Sequence, residues 1–223
     1  MSKIKKGAPK KRSAAMLWVG GVAVAAVAML IGMAVMSNQK PVTKAQSDAE
    51  LGVKGYTRGP DTAPVKVVEY ADFLCHYCSD AQKVLEPQLA PYIERGEVQF
   101  TYHYVLNWPE VSTEPALAAE CAAEQGYFWA YKNTIYDHFN ANGYGKGDLK
   151  DWAKRLGLNT QQFNACLDSS KYKEKLSGMT QEAKTAGVKA TPTFTVNGQL
   201  IEGPDPKMLL QYIDQLVQQS KTK

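Results

Sequence analysis

The residues Phe73-Leu-Cys-His-Tyr-Cys-Ser-Asp-Ala81 set two cysteines three apart directly behind a β-branched run, Val65, Val67 and Val68. Such a run reads as a buried strand. From Ser79 onward Ala81, Val84, Leu85, Leu89 and Tyr92 recur at helical spacing, so the order is strand, CxxC, helix. Cys75 then sits at the strand-to-helix turn and Cys78 in the first helical turn. A helix start presents unpaired N–H groups and the positive end of a dipole, which favour a thiolate at Cys75. A cysteine of lowered pKa is a nucleophile. Cys78 lies on the same side of the helix and can attack a mixed disulfide formed at Cys75, which makes it the resolving thiol.

Other uses of this stretch need residues that are missing. Haem attachment as C-x-x-C-H requires histidine where Ser79 stands, and a four-cysteine zinc ribbon requires a second CxxC. Cys75, His76, Cys78 and His103 could still assemble an adventitious zinc or copper site. His103 and His138 otherwise read as structural.

Val98, Phe100, Tyr102, Tyr104 and Leu106 alternate on one face and predict a second strand, closing a β-helix-β unit whose strands should pair in parallel. Helical patterns follow at Pro115 to Gln125, Tyr127 to Phe139, Leu149 to Leu156, Thr160 to Leu167 and Tyr172 to Ala186. A helical block thus interrupts the sheet over about residues 110–186. The sheet resumes at Thr193 to Val196, turns at Asn197-Gly198 and returns over Gln199 to Glu202 as an antiparallel hairpin. A last helix has Asp205 as N-cap, Pro206 at its first position, and Leu209, Ile213, Leu216 and Val217 as its apolar stripe.

The N-terminus differs in kind. Residues 1–15 carry six basic side chains and no acid, and Met16 to Met36 runs twenty-one residues without a charge, about the length a helix needs to cross a hydrocarbon core of roughly 30 Å. The expectation is a membrane anchor over 16–36, with the basic segment in the cytoplasm and the C-terminal bulk outside it. The alternative is a cleaved signal peptide, for which Gly32-Met33-Ala34 supplies small residues. Residues 37–60 are mostly polar, with Pro and Gly at intervals, and predict a flexible linker ahead of one folded domain over 61–221. Setting the six N-terminal basic residues aside leaves 20 of the chain's 26 against 22 acids, a net charge of about −2 for the remainder. That balance speaks against nucleic acid as a partner.

The order VVEYADFLCHYC, a helical block, then ATPTFTVNGQLIEG resembles the DsbA-type thiol:disulfide oxidoreductases over about residues 61–220. The resemblance implies an α/β fold: a thioredoxin-like sheet with an inserted all-helical subdomain, here preceded by one N-terminal transmembrane helix. It implies a cis peptide at Pro192, preceded by Thr191 and lying against the cysteine pair. A proline there would leave edge backbone free to pair with an extended chain. Glu69 falls where that fold keeps a buried acid, which implies proton transfer for Cys78 and a pKa raised by burial. The bland reading of Glu69 is a strand-end carboxylate paired with a lysine. DsbA-type proteins often carry histidine just before the second cysteine, whereas here Tyr77 takes that place and His76 follows the first. His76 is still expected to donate to the Cys75 thiolate, the alternative being a solvent-facing side chain. If Cys75 and Cys78 pair, Cys121 and Cys166 remain for a structural disulfide, or as two buried thiols.

The expected activity is disulfide introduction into unfolded or cysteine-containing secreted or envelope proteins by an extracytoplasmic domain. The redox-active disulfide itself serves and no cofactor is expected. The resemblance further implies a membrane quinone-linked protein that reoxidises the pair. Two rivals keep the same residues: a reductase or isomerase held reduced by a membrane electron donor, and a tethered non-enzymatic binding module.

Overall fold

The structure, a computed structural model, describes residues 45–50, 53 and 55–222. The expected membrane span over 16–36, and the basic segment before it, lie outside these residues. Among the described residues no helix is long and apolar enough to cross a membrane.

Five strands form one sheet in the order β1-β3-β2-β4-β5. The central strand β2, Val65–Ala71, pairs in parallel with β3, Val98–Tyr104, in the register Glu69 opposite Tyr102. The helix α1, His76–Glu94, makes the crossover between them. On its other side β2 pairs antiparallel with β4, Thr193–Val196, and β4 with β5, Gln199–Glu202, around the Asn197-Gly198 turn. Asn197 and Gly198 both have positive φ, +48° and +84°, as a turn of the I′ kind requires.

Between β3 and β4 come five helices: α2 Pro109–Ala123, α3 Phe128–Asp137, α4 Lys146–Arg155, α5 Thr160–Ser169 and α6 Lys173–Thr185. Helices therefore stand where the sequence predicts a helical block, with several boundaries shifted: α4, for one, begins at Lys146 instead of Leu149. α2 begins at Pro109 instead of Pro115. Either proline could occupy the first turn, where its missing N–H costs nothing. Pro109 is the one used because Ser112 N bonds to Trp108 O at 2.7 Å and Ser112 Oγ donates to the buried Asp72 at 2.8 Å, closing the earlier turn. A disulfide between Cys121 and Cys166 joins α2 to α5.

The last helix, α7 Pro206–Lys221, starts at Asp205, whose carboxylate accepts from the N–H groups of Lys207 and Met208. It packs on α1 and against β2. Because side chains alternate along a strand, Val65, Val67, Glu69 and Ala71 of β2 share one face. The apolar members of that set lie in the main core with Phe73, Tyr102, Phe128 and Ile213. Tyr70 points the other way, into a smaller cluster with Val105, Ala183 and Val188.

Within the linker expected over 37–60, Asp48 and the residues from Gly55 to Arg58 are joined to the folded domain instead. Asp48 is buried and caps α3 from 80 residues away, accepting from the backbone N–H of Phe128 at 2.8 Å and of Trp129 at 3.2 Å. Trp129 Nε1 donates to Gly55 O, and Thr57–Arg58 forms β1, antiparallel to β3 at Phe100 and Thr101. Residues that look like a tether in sequence thus serve the start of α3 and the edge of the sheet beside β3.

Candidate active site

The strand-to-helix turn is shaped by Asp72. Its Oδ1 accepts from Leu74 N at 2.8 Å and its main-chain carbonyl from Cys75 N at 3.1 Å. These two bonds fold the chain tightly after β2 and deliver Cys75 to the N-cap of α1 in an extended conformation, φ −82°, ψ 117°. No side chain caps this helix. The first free N–H groups, those of Tyr77 and Cys78, therefore serve the Cys75 sulfur.

Both cysteines are reduced here and both are buried, Cys75 at 5% exposure and Cys78 at 0%. Their thiols are driven apart. Cys75 falls from 9.0 to about 6, first because the Cys78 thiol hydrogen-bonds to it, against the opposing effect of burial, and then through the Thr191 hydroxyl and the two helix N–H groups. Cys78 rises well above 9.0, chiefly through burial and then through its hydrogen bond to Cys75. Cys75 is thus the thiolate and Cys78 the proton holder.

The Thr191–Pro192 peptide is cis and lies beside the pair. Cys75 Sγ is 3.2 Å from Thr191 O. Alongside runs an apolar cleft of about 270 Å³ lined by Tyr77, Ala81, Thr191, Pro192, Pro204 and Pro206. Tyr77, between the cysteines, is 72% exposed at its rim.

Glu69 lies on the core-facing side of β2 and is buried. Burial lifts its carboxyl from 4.5 to about 7, although the Lys132 ammonium pulls it the other way. Among the described residues no side chain or backbone group donates to its Oε1. It also raises the Cys78 thiol, as two acidic groups in one dry site must. The bland reading, a strand-end carboxylate paired with a lysine, does not fit: Glu69 is buried, and the lysine near it, the fully buried Lys132, forms its ion pair with Glu86 instead. Lys132 Nζ bonds to Glu86 Oε2 at 3.0 Å and lies within 6 Å of the ring centres of Tyr102, Trp129 and Tyr136. Burial raises Glu86, but Lys132, Asn133 and Arg58 together bring it below its ordinary range.

His76 departs from expectation. At the first position of α1 its side chain turns along the helix surface to Asp80, one turn on, with Nε2 2.9 Å from Oδ2. It is mostly exposed and is not among the groups that lower the Cys75 thiol. Geometry at i,i+4 on an open helix face gives it a carboxylate partner in place of the sulfur. His103 and His138 are engaged locally, their Nδ1 atoms donating to Tyr104 O and Thr134 O.

Sequence reasoning missed Asp72, Asn107, Glu86 and Lys132. An aspartate between a strand and a helix is an Asx-turn signal, so Asp72 was within reach. Nothing in the local pattern of the two helices marks Glu86 or Lys132 as buried, and only the packing of α3 against α1 brings them together.

Thiols divided in this way on a sheet of this order define a thiol:disulfide oxidoreductase with a thioredoxin-like fold. A family model described as thioredoxin matches residues 52–215. The chain is 32% identical over 173 residues to a probable disulfide bond formation protein D of Bacillus anthracis, covering 70% of this chain and 75% of that one. It is also 34% identical over 156 residues to the Na(+)/H(+) antiporter NhaA 3 of Salinispora tropica, covering 68% of this chain but only 23% of the antiporter. Among solved structures, oxidised BdbD from Bacillus subtilis superposes with a TM-score of 0.66 at 23% identity, covering 74% of this chain and 93% of BdbD. The chain belongs to the thioredoxin family, among its DsbA-like thiol:disulfide oxidoreductases.

Proposed function

We propose that the chain is a thiol oxidase that passes the Cys75–Cys78 disulfide to reduced, unfolded proteins outside the cytoplasm, tethered by its N-terminal apolar segment. The observation that carries this reading is the division of the two thiols: a Cys75 held down to about 6 stabilises the reduced form, and stabilising the reduced form makes the disulfide a stronger oxidant.

In the forward reaction a substrate thiolate attacks Cys75 Sγ, the new S–S bond forms, and the Cys75–Cys78 bond breaks with its electron pair leaving on Cys78. Because the Cys78 thiol is pushed far above neutral pH, that thiolate takes up a proton at once. Glu69, buried with it and poised at about 7, is the donor. A second substrate thiolate then attacks its partner sulfur in the mixed disulfide. The substrate leaves oxidised, and Cys75 departs as a thiolate held by the helix N–H groups and Thr191. The cleft beside Pro192 suits an apolar side chain of an extended substrate. A membrane quinone-linked protein then reoxidises the pair, the role the DsbA resemblance implies for such a partner.

The test is disulfide transfer. Oxidised full-length chain mixed with a reduced, unfolded two-cysteine protein should yield one substrate disulfide per chain, and Cys75→Ser should yield none. If instead the reduced chain rapidly cleaved insulin disulfides while the oxidised chain left thiols untouched, the direction would be reversed and the protein would be a reductase.

A further inference from the structure

Reduction of the cysteine pair leaves a proton on Cys78, and that proton is drawn in the end from solvent. The face around Cys75 is covered by substrate while the mixed disulfide stands, so the proton needs another way in. A cleft of about 430 Å³ lies between α1 and α3, walled by Gln82, Glu86 and Ala90 of α1, Asn133 and Tyr136 of α3, and Arg58 of β1. It shares no residue with the cleft beside Pro192, which takes Tyr77 and Ala81 from α1. Gln82, Glu86 and Ala90 recur every fourth residue and form a stripe of the helix about 100° round from that of Tyr77 and Ala81.

Polar atoms without partners lead inward from this cleft. Among the described residues nothing bonds to Gln82 Nε2 or Asn133 Oδ1 at its wall, to Ser79 Oγ one turn further in along α1, or to Glu69 Oε1. Ser79 and Gln82 are 0% and 7% exposed. Buried polar atoms of this kind are completed by internal water. Ser79, Gln82 and Glu86 share one face of the helix, and Ser79 directly follows Cys78, so the row runs from the cleft to the resolving thiol. It offers water an amide donor, an amide acceptor and a hydroxyl that can be either. Lys132, ion-paired with Glu86 at 3.0 Å, lies with Nζ 5.8 Å from the ring centre of Tyr102, the residue opposite Glu69 in the β2–β3 register. We propose that this cleft is the proton port of the site: water held by Gln82, Asn133 and Ser79 carries protons between solvent and Glu69, on the side of α1 that a bound substrate leaves open.

The inference rests on Glu69 as proton donor to Cys78 but not on the direction of electron flow. Its test is the rate at which dithiothreitol reduces the oxidised full-length chain, followed by quenched flow and thiol trapping at pH 5.5 and pH 8.5, either side of the value of about 7 for Glu69. A dithiothreitol thiolate bonds to Cys75 Sγ, the electron pair of the broken bond goes to Cys78, Glu69 protonates it, and buffer replaces the Glu69 proton. The titratable groups facing Glu69 are Cys75, Cys78, Glu86, Tyr102, Lys132 and Tyr136. β4 and the buried face of α7 add none. Cys75 titrates close to Glu69, but in the oxidised chain it is held in the disulfide. At pH 5.5 Glu69 already carries its proton, whereas at pH 8.5 it has to draw one through the port as the reaction proceeds. Gln82→Leu, which removes the amide, and Ala90→Leu, which narrows the mouth, should each slow reduction by about tenfold at pH 8.5, within the span of proton-transfer catalysis, and leave the rate at pH 5.5 unchanged. Both should keep the wild-type reduction potential, because the route changes and the end states do not. Equal slowing at both pH values, slowing matched by a shift in potential, or wild-type rates throughout overturns the port. Glu69→Gln tells the two readings apart: slow at both pH values, as expected, it upholds the acid whatever the cleft variants do, and at wild-type speed it removes the acid from the mechanism and the port with it.

Discussion

At the scale of single residues, the two cysteines have opposite burdens. With a pKa of about 6, Cys75 is about nine-tenths ionised at pH 7. That ionisation was legible in its placement at a helix start, whereas the nearness of Thr191, 116 residues further along, was legible only through the family resemblance. His76 was misread for the reverse reason: adjacency in sequence to Cys75 says nothing about where an exposed N-terminal helix side chain turns. Glu69 supplies a quantitative prediction. A carboxyl raised from 4.5 to about 7 costs nothing below pH 4.5, where it is protonated in both folded and unfolded chains. Between 4.5 and 7 the unfolded chain ionises and the folded one resists, so stability falls with rising pH, by about 3 kcal/mol at the end of that window. Glu69→Gln should therefore be more stable than wild type by on the order of 2–3 kcal/mol at pH 8 and by nearly nothing at pH 4.5. Urea unfolding at the two pH values checks this, and an equal difference at both would contradict it. Lys132 is not orphaned by the change, because it keeps Glu86 at 3.0 Å.

At the scale of elements, periodicity and the Asn197-Gly198 turn signal predicted β2, α1, β3, the hairpin and α7, each of which contributes apolar residues to the main core. What it could not predict was pairing between segments that lack a period of their own. Asp48 belongs to a polar stretch, and its importance comes from the start of α3, where Tyr127 offers no side-chain cap. Gly59 is similar: with φ +88°, and with Val98 O directly where a Cβ would stand, no other residue fits against β3 there. Asp48→Ala should destabilise the fold by about 1–2 kcal/mol, the usual worth of a helix N-cap. A thermal or denaturant midpoint equal to wild type would show that α3 does not depend on this strap. The disulfide between α2 and α5 closes a loop of 45 residues and constrains the unfolded chain, by about 4 kcal/mol in the chain-entropy model. It was legible by elimination, once the first two cysteines were assigned to redox work.

At the scale of the whole molecule, a thioredoxin-like sheet places three loops at one end: the cysteine turn after β2, the loop after β3 and the cis-proline loop before β4. Asp72, Asn107 and Thr191 join them by hydrogen bonds of 2.6 to 2.8 Å. The helical insert contributes more than bulk, since α3 carries the lysine that pairs with Glu86 and whose charge also bears on Glu69. Direction of electron flow is a property of this assembly as a whole, because it depends on how far every one of these groups favours the reduced pair over the disulfide. The most direct measurement is the reduction potential of Cys75–Cys78 in the full-length chain, equilibrated in glutathione buffers and read by thiol trapping. A value near about −120 mV, in the range of strong oxidants, is what a stabilised Cys75 thiolate predicts, and a value near about −270 mV, in the range of reductants, would contradict it.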